Sequence, residues 1–384
     1  MSINGEDKQE VTAKGDVSIL RFYMNELSGA LGDIGTFLPH IIGAITLAQL
    51  NPSGVLTMFG LFYVTTGLFY RIPMAVQPMK AASAAVLIQK ATPGEIAGAG
   101  LVLGALLTIL ATTGFMEKLA KITPSSVVGG IRLGLGLSLA FLGLKMIIPD
   151  PVLGVLMLVI MLPFNFSRTW PTAIFAVAIG IGYSFLIGKL TGFPDIKLGF
   201  YLPPMVIPTV DELRIGIFKI VIPQIPLTIA NAIIVTSVMA HKLFPHATRV
   251  NVRNLALTQG LGNLLAAPFG GYLMCHGGGG LVAHYRFGAR TAIATMLLGV
   301  SLLFVGLFLG PEAVKLFQLV PEAVLGALLV YGGLDLARGM DYSKQKGDLF
   351  VVLSVALLSI WVNPSWGFIL GLPLAYAFKK IRLS

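Results

Sequence analysis

LFVVLSVALLSIWVNPSWGFILGLPLAYAF (349–378) runs for thirty residues without an Asp, Glu, Lys or Arg. A helix crosses the hydrocarbon core of a bilayer in about 20 residues, so this stretch holds two short crossings parted near Asn363-Pro364. Outward from it the pattern recurs: 34–70, 169–188, 254–285 and 291–311 are equally free of charge. Hydrophobic residues make up 55% of the chain and charged ones 11%, with a mean hydropathy of +0.85. A soluble domain carries about 25% charged residues, so the sequence predicts an all-α polytopic membrane protein. The net charge of +10 then reflects loop bias and not nucleic-acid binding. A single cysteine, Cys275, leaves no internal disulfide. The first two dozen residues lack an apolar core, so no cleavable signal peptide is expected.

Turn signals divide the chain into about fourteen spans, near 26–48, 54–70, 73–89, 94–115, 125–147, 151–163, 171–189, 216–240, 253–267, 269–285, 290–310, 321–338, 348–361 and 364–381. With both termini cytoplasmic, eighteen Lys and Arg fall on the inner side and seven on the outer, as the positive-inside rule requires. Lys80 and Arg132 fall within spans. The expected organisation is a cytoplasmic tail (1–24), a first seven-span repeat (25–190), an extracytoplasmic connecting loop (191–214) and a second repeat (215–384).

KLAKITPSSVVGGIRLGLGL (118–137) matches KLFQLVPEAVLGALLVYGGL (315–334) at seven of twenty positions, an offset of 197 residues. Seven spans per half is an odd number, so the second repeat is inverted relative to the first. Inverted repeats with interrupted helices are a recurrent transporter plan, with the site at mid-membrane where the repeats meet.

The same offset carries Pro78 onto Cys275 and Lys80 onto Gly277, within the third and tenth spans. IPMAVQPMKAASAA (72–85) has an extended lead, then Gln77-Pro78, then small residues. Proline suits the first turn of a helix and pushes its predecessor toward extended geometry, which predicts a half-helix starting near Pro78. GGYLMCHGGGGLVAHYRFGAR (270–290) carries Gly277 to Gly280, which leave backbone N–H groups uncovered. Two opposed half-helix N-termini offer partial positive charge and free donors to one anion. The bland alternative makes the glycines a helix-packing contact and Pro78 a plain kink. Lys80, a costly charge inside a span, adds full positive charge to the site or pairs with Asp33. Glu26, Asp33, Thr36 and His40 share one face of the first span, and Gln224, Thr228 and Asn231 one face of the eighth. These faces supply neutral donors, or act as helix–helix glue in the case of His40 and Gln224.

GALGDIGTFLP (29–39), IPMAVQPMK (72–80), PQIPLTIANA (223–232) and MCHGGGGLVAHYRFGAR (274–290) resemble, in order, the signatures of the molybdate-transporter branch of the sulfate-permease (SulP) superfamily. The resemblance covers nearly the whole chain. It implies a seven-plus-seven inverted-repeat fold with core and gate domains, broken third and tenth helices, no STAS domain and a homodimer. It also implies a substrate pocket including Thr36, Gln77, Pro78, Met79, Lys80, Asn231, Cys275, His276, Gly277 and Gly278. The tenth-span motif departs from the commoner CHGAGG at Gly278, which keeps a small residue.

A dianion entering a cell opposes the membrane potential at about 2.3 kcal/mol per charge per 100 mV, so uptake needs coupling. Protons are the first candidate, with Asp33, Glu26 and His276 as carriers. Molybdate, sulfate and tungstate are not separable from residue types, and an anion channel remains open. An enzyme using Cys275 and His276 lacks an oxyanion hole, and a zinc site of Cys275, His276 and His284 lacks a fourth ligand. No metal or other cofactor is expected. The partners are the oxyanion and membrane lipid, at the plasma membrane.

Overall fold

The computed structural model describes residues 21–32, 34–116, 124–167, 172–338, 348–362 and 364–383. Side chains are described for all of these except 35–36, 163–167, 172–174 and 379–383. Helices follow in the order α1 (21–31), α2 (Ile34–Thr46) and α3 (Pro52–Tyr70), then the short strand β1 (Val76–Pro78) and α4 (Lys80–Gln89). Next come α5 (Pro93–Thr113), α6 (Ser125–Ile147), α7 (Pro151–Ser167), α8 (Thr172–Leu186), α9 (Val210–Leu243) and α10 (Val252–Ala266). A second short strand, β2 (Met274–His276), leads into α11 (Gly278–Arg286). The chain closes with α12 (Ile293–Phe317), α13 (Glu322–Arg338), α14 (Leu349–Trp361) and α15 (Pro364–Leu383). Among the described residues, α3, α5, α6, α9 and α12 are each long and apolar enough to cross a membrane.

Local chemistry sets the helix ends. Asn51 accepts the Ser53 N–H and Pro52 opens α3. Thr92 and Glu95 form a reciprocal capping box at the start of α5, again with proline first. Each satisfies backbone donors that a helix start leaves orphaned.

Small residues decide which helices meet. A Cβ at Gly60 would sit 2.7 Å from the Gly299 oxygen, and one at Gly104 would sit 2.8 Å from the Gly260 oxygen. Glycine alone lets α3 approach α12, and α5 approach α10, this closely. Helices α6 and α13 cross antiparallel, with Gly136 against the Gly333 carbonyl and Gly143 against that of Gly326, each 2.5 Å from where a Cβ would stand.

The buried apolar side chains form two clusters. One gathers α2, α3, both strands, α5, α9, α10 and α12 around Phe59, Tyr63, Met79 and Tyr272. The other gathers α6, α7, α13 and α14 around Ile131, Leu139, Met157 and Val324. Ala81, Ala84 and Leu87 of α4 belong to the second cluster while Ala82 and Val86 belong to the first. The small residues of α4 thus form the seam between them.

Candidate functional site

β1 and β2 pair antiparallel, with Val76 opposite His276, Gln77 opposite Cys275 and Pro78 opposite Met274. The Met79 N–H extends the ladder to the Leu273 carbonyl at 3.0 Å. Each strand runs directly into a helix, α4 from the Met79 cap and α11 from the Gly277 cap. Because the strands are antiparallel, the two helices leave from opposite ends of the ribbon. Their caps, Met79 and Gly277, stand four residues apart along the ribbon, about 13 Å, and both positive dipole ends point inward.

The sequence predicted a helix starting near Pro78. The helix starts two residues on, at Lys80, and Pro78 is the last ribbon residue. A two-stranded ribbon leaves outward-facing N–H groups unpaired, so a residue without one fits there. The first-turn N–H groups of Lys80 and Ala81, and of Gly278 to Gly280, have no acceptor within their own helices. That of Ala82 is taken: Gln224 on α9 accepts it at 2.9 Å, and its amide donates to Thr228 at 2.9 Å. Gln224 therefore joins α9 to the head of α4.

Strand alternation sorts the predicted site residues. Gln77 and Cys275 share one face, and the Gln77 carboxamide lies over Gly277, where any Cβ would overlap it. Gly278 packs against Val235 and Thr236 of α9, whereas a Cβ at Gly279 would meet open space. Asn231 is half-buried in the widened turns 228–235 that follow Pro226. Pro78, Met79 and Gly278 are buried at the ribbon ends.

His276 belongs to the other face, a correction to its predicted place beside the anion. Its Nδ1 is 3.1 Å from the Ala75 oxygen and its Nε2 is 2.9 Å from Thr258. Tyr70 continues the chain to Thr258 at 2.8 Å, and the ring lies between Phe62 and Tyr70. With both nitrogens engaged and the ring fully buried, it anchors the ribbon to α3 and α10. Asn263 does the same for β2, donating to the Met274 oxygen at 2.7 Å and accepting its N–H at 2.9 Å. Neither Thr258 nor Asn263 was singled out from sequence, though both are polar residues in a charge-free run.

Glu26 is likewise moved away from the ribbon. Its carboxylate accepts the N–H groups of Arg290, Thr291 and Ala294 at 2.8, 3.0 and 3.2 Å. It caps the start of α12 from a fully buried position. Asp33 and the Thr36 side chain lie outside the described residues. The acid beside Lys80 is Asp335 on α13, with Nζ and Oδ2 3.3 Å apart. Arg132 on α6 donates from Nε to the Leu336 oxygen at 3.2 Å.

Cys275 and His276, on opposite faces, cannot act as nucleophile and base. His284 donates from Nδ1 to the Gly29 oxygen at 2.6 Å. No cluster of three metal-ligating side chains stands among the described residues.

Residues 25–139 and 216–336 match the family model described as molybdate transporter of the MFS superfamily. Molybdate transporter 1 of Arabidopsis thaliana is 33% identical over 402 residues, covering 92% of this chain and 88% of that protein. Molybdate transporter 2 of the same plant is 30% identical over 410 residues, covering 93% and 88%. Among solved structures, the transmembrane domain of a cyanobacterial bicarbonate transporter, BicA, aligns with a TM-score of 0.67 at 19% identity, covering 91% of this chain and 98% of that one. Murine Slc26a9, an anion transporter in an inward-facing state, aligns at 0.68 with 16% identity, covering 94% and 68%. These two likenesses establish the fold: a SulP/SLC26-type transmembrane arrangement.

Proposed function

The chain belongs to the molybdate-transporter family, and from that premise we propose that it is a secondary transporter importing a tetrahedral oxyanion, with molybdate the leading substrate. The crossed ribbon carries this reading. It sets two helix N-termini face to face, each equivalent to about half a positive charge, with the Lys80 ammonium at the edge of one of them. A dianion between them meets backbone N–H donors from Lys80, Ala81 and Gly278–Gly280, flanked by Gln77, Cys275 and Asn231. Irregular backbone of this kind is tolerated at membrane depth where it is buried in protein or lines a water-filled cavity.

Fourteen crossings in two inverted repeats suit this arrangement. The offset of 197 carries α3 onto α10, α5 onto α12 and α6 onto α13. The α3–α12 contact then becomes the α10–α5 contact, and Gly136 opposite Gly333 maps onto itself. The ribbon register obeys the same rule, since Gln77 opposite Cys275 becomes Pro78 opposite Met274. We assign 25–190 and 215–384 to the repeats and 191–214 to the loop between them. The first apolar cluster corresponds to a mobile core and the second to a gate, working by alternating access. Both termini face the cytoplasm, the membrane is the plasma membrane and the assembly is a dimer.

Proton coupling offsets part of the cost of moving a dianion inward, about 4.6 kcal/mol at 100 mV. With Glu26 and His276 engaged elsewhere, Asp33 is the carrier among the residues named from sequence. Purified protein in liposomes, given radiolabelled molybdate with and without an acid-outside gradient, tests the whole reading. Gradient-driven accumulation that excess unlabelled molybdate suppresses supports it. Stronger suppression by sulfate reassigns the substrate, and passive, non-saturating current replaces the transporter with a channel.

A further inference from the structure

Lys80 is the first residue of α4, on the side of the ribbon where the anion is proposed to sit, and it is not left to the anion alone. Its ammonium is 3.3 Å from a carboxylate that belongs to a different apolar cluster, Asp335 of α13. The side chains are 24% and 60% exposed, respectively. A carboxylate this open within so apolar a helix faces an aqueous vestibule, because contact with lipid is strongly unfavourable for a charge. The pair therefore has a half-buried ammonium at the ribbon and an acid that water reaches.

We propose that Asp335 is a built-in competitor for the transported anion: it holds Lys80 and ties α4 to α13 while the site is empty, and yields Lys80 when an oxyanion binds or when the carboxylate takes up a proton. This rests on the reading of the chain as an oxyanion transporter and adds to it the residue that answers to loading. The chemistry is a single O–H bond: the proton comes from vestibule water to an Asp335 oxygen and returns there when the Lys80 contact re-forms.

The surroundings suit this exchange. Among the described residues, α2, α6, α7 and α8 pack most closely on α13. From α6, Arg132 reaches the backbone beside Asp335, while Lys145, at the far end, lies over the Phe141 ring. From α2, the His40 ring is within Coulombic reach of both Lys80 and Asp335. α7 contributes no ionisable side chain and α8 only Tyr183. On α13 itself Arg338 follows one turn later, and Tyr331 donates to the Leu158 oxygen. Asp335 is thus the acid set among cations, and removing its charge leaves them for a dianion.

The experiment is equilibrium binding of radiolabelled molybdate to the purified full chain across a pH series, for wild type, Asp335→Asn and Asp335→Glu. Wild type binds more tightly as pH falls through the Asp335 titration. The Asn variant binds about two- to fivefold more tightly at neutral pH, the range for a partly exposed ion pair, and its pH profile is flat. The Glu variant keeps the wild-type slope, which a merely structural role for position 335 does not require. An Asn variant with wild-type affinity and slope overturns the proposal while leaving the transporter reading intact. Absence of molybdate binding by wild type overturns both. Should the Asn variant fail to fold, a pH-independent wild-type affinity by itself refutes the competition.

Discussion

The heads of α4 and α11 occupy equivalent places in the ribbon and are finished in different ways. The α4 head carries an ammonium, a carboxamide cap from Gln224 and an acid partner across the seam. The α11 head carries four glycines, Gly277 to Gly280, and no side chain at all. One end supplies charge and the other supplies bare backbone. A shared backbone geometry is therefore finished in two ways, and on the proposed reading an anion would meet a different surface on each side.

Substitutions at the two heads break or sharpen that comparison. Gly277→Val drives a branched side chain into the Gln77 carboxamide. Overpacking costs about 1–3 kcal/mol of stability, read as a lower melting temperature in detergent, and the displaced Gln77 lowers molybdate affinity, read by equilibrium binding. Lys80→Ala removes the charge from the other head and lowers affinity by about tenfold or more, whereas Lys80→Arg keeps a measurable part of uptake. Equal losses from both variants would show that backbone and charge contribute alike. Gln224→Leu leaves the buried Ala82 N–H without its acceptor, a destabilisation of about 1–3 kcal/mol, visible as a lower melting temperature. Glu26→Gln weakens the cap of α12 by about 1 kcal/mol and leaves the pH profile of uptake unchanged. Gly279→Ala, where a Cβ meets nothing, is the mildest change, and near-wild-type uptake is expected.

Much of this was legible in the sequence, for identifiable reasons. Charge-free runs and turn residues located the helices because burial in lipid forbids charge over whole segments, and α7 proved longer than the predicted 151–163. Pro78 and the Gly277–Gly280 run marked both helix starts, since these residue types alter backbone geometry locally. What stayed hidden depends on distant partners. Three-residue strands are too short to show alternation, so nothing local reveals that His276 faces away from Gln77. The Lys80 contact with Asp335 spans 255 positions, and an acid so far along the chain has no signature in the neighbourhood of the lysine. Gln224 read as helix glue, which it is, but its partner on the neighbouring helix is a backbone amide of α4, a contact that has no side-chain signature.

The brevity of the ribbon has a consequence for how this gene can vary. With only three paired residues per strand and sides that alternate at every position, losing or gaining one codon between 73 and 79 exchanges the roles of neighbouring side chains. Gln77 would be rotated into the Phe62 and Tyr70 layer, and a valine would take its place over Gly277. Length changes here are as disruptive as any missense change.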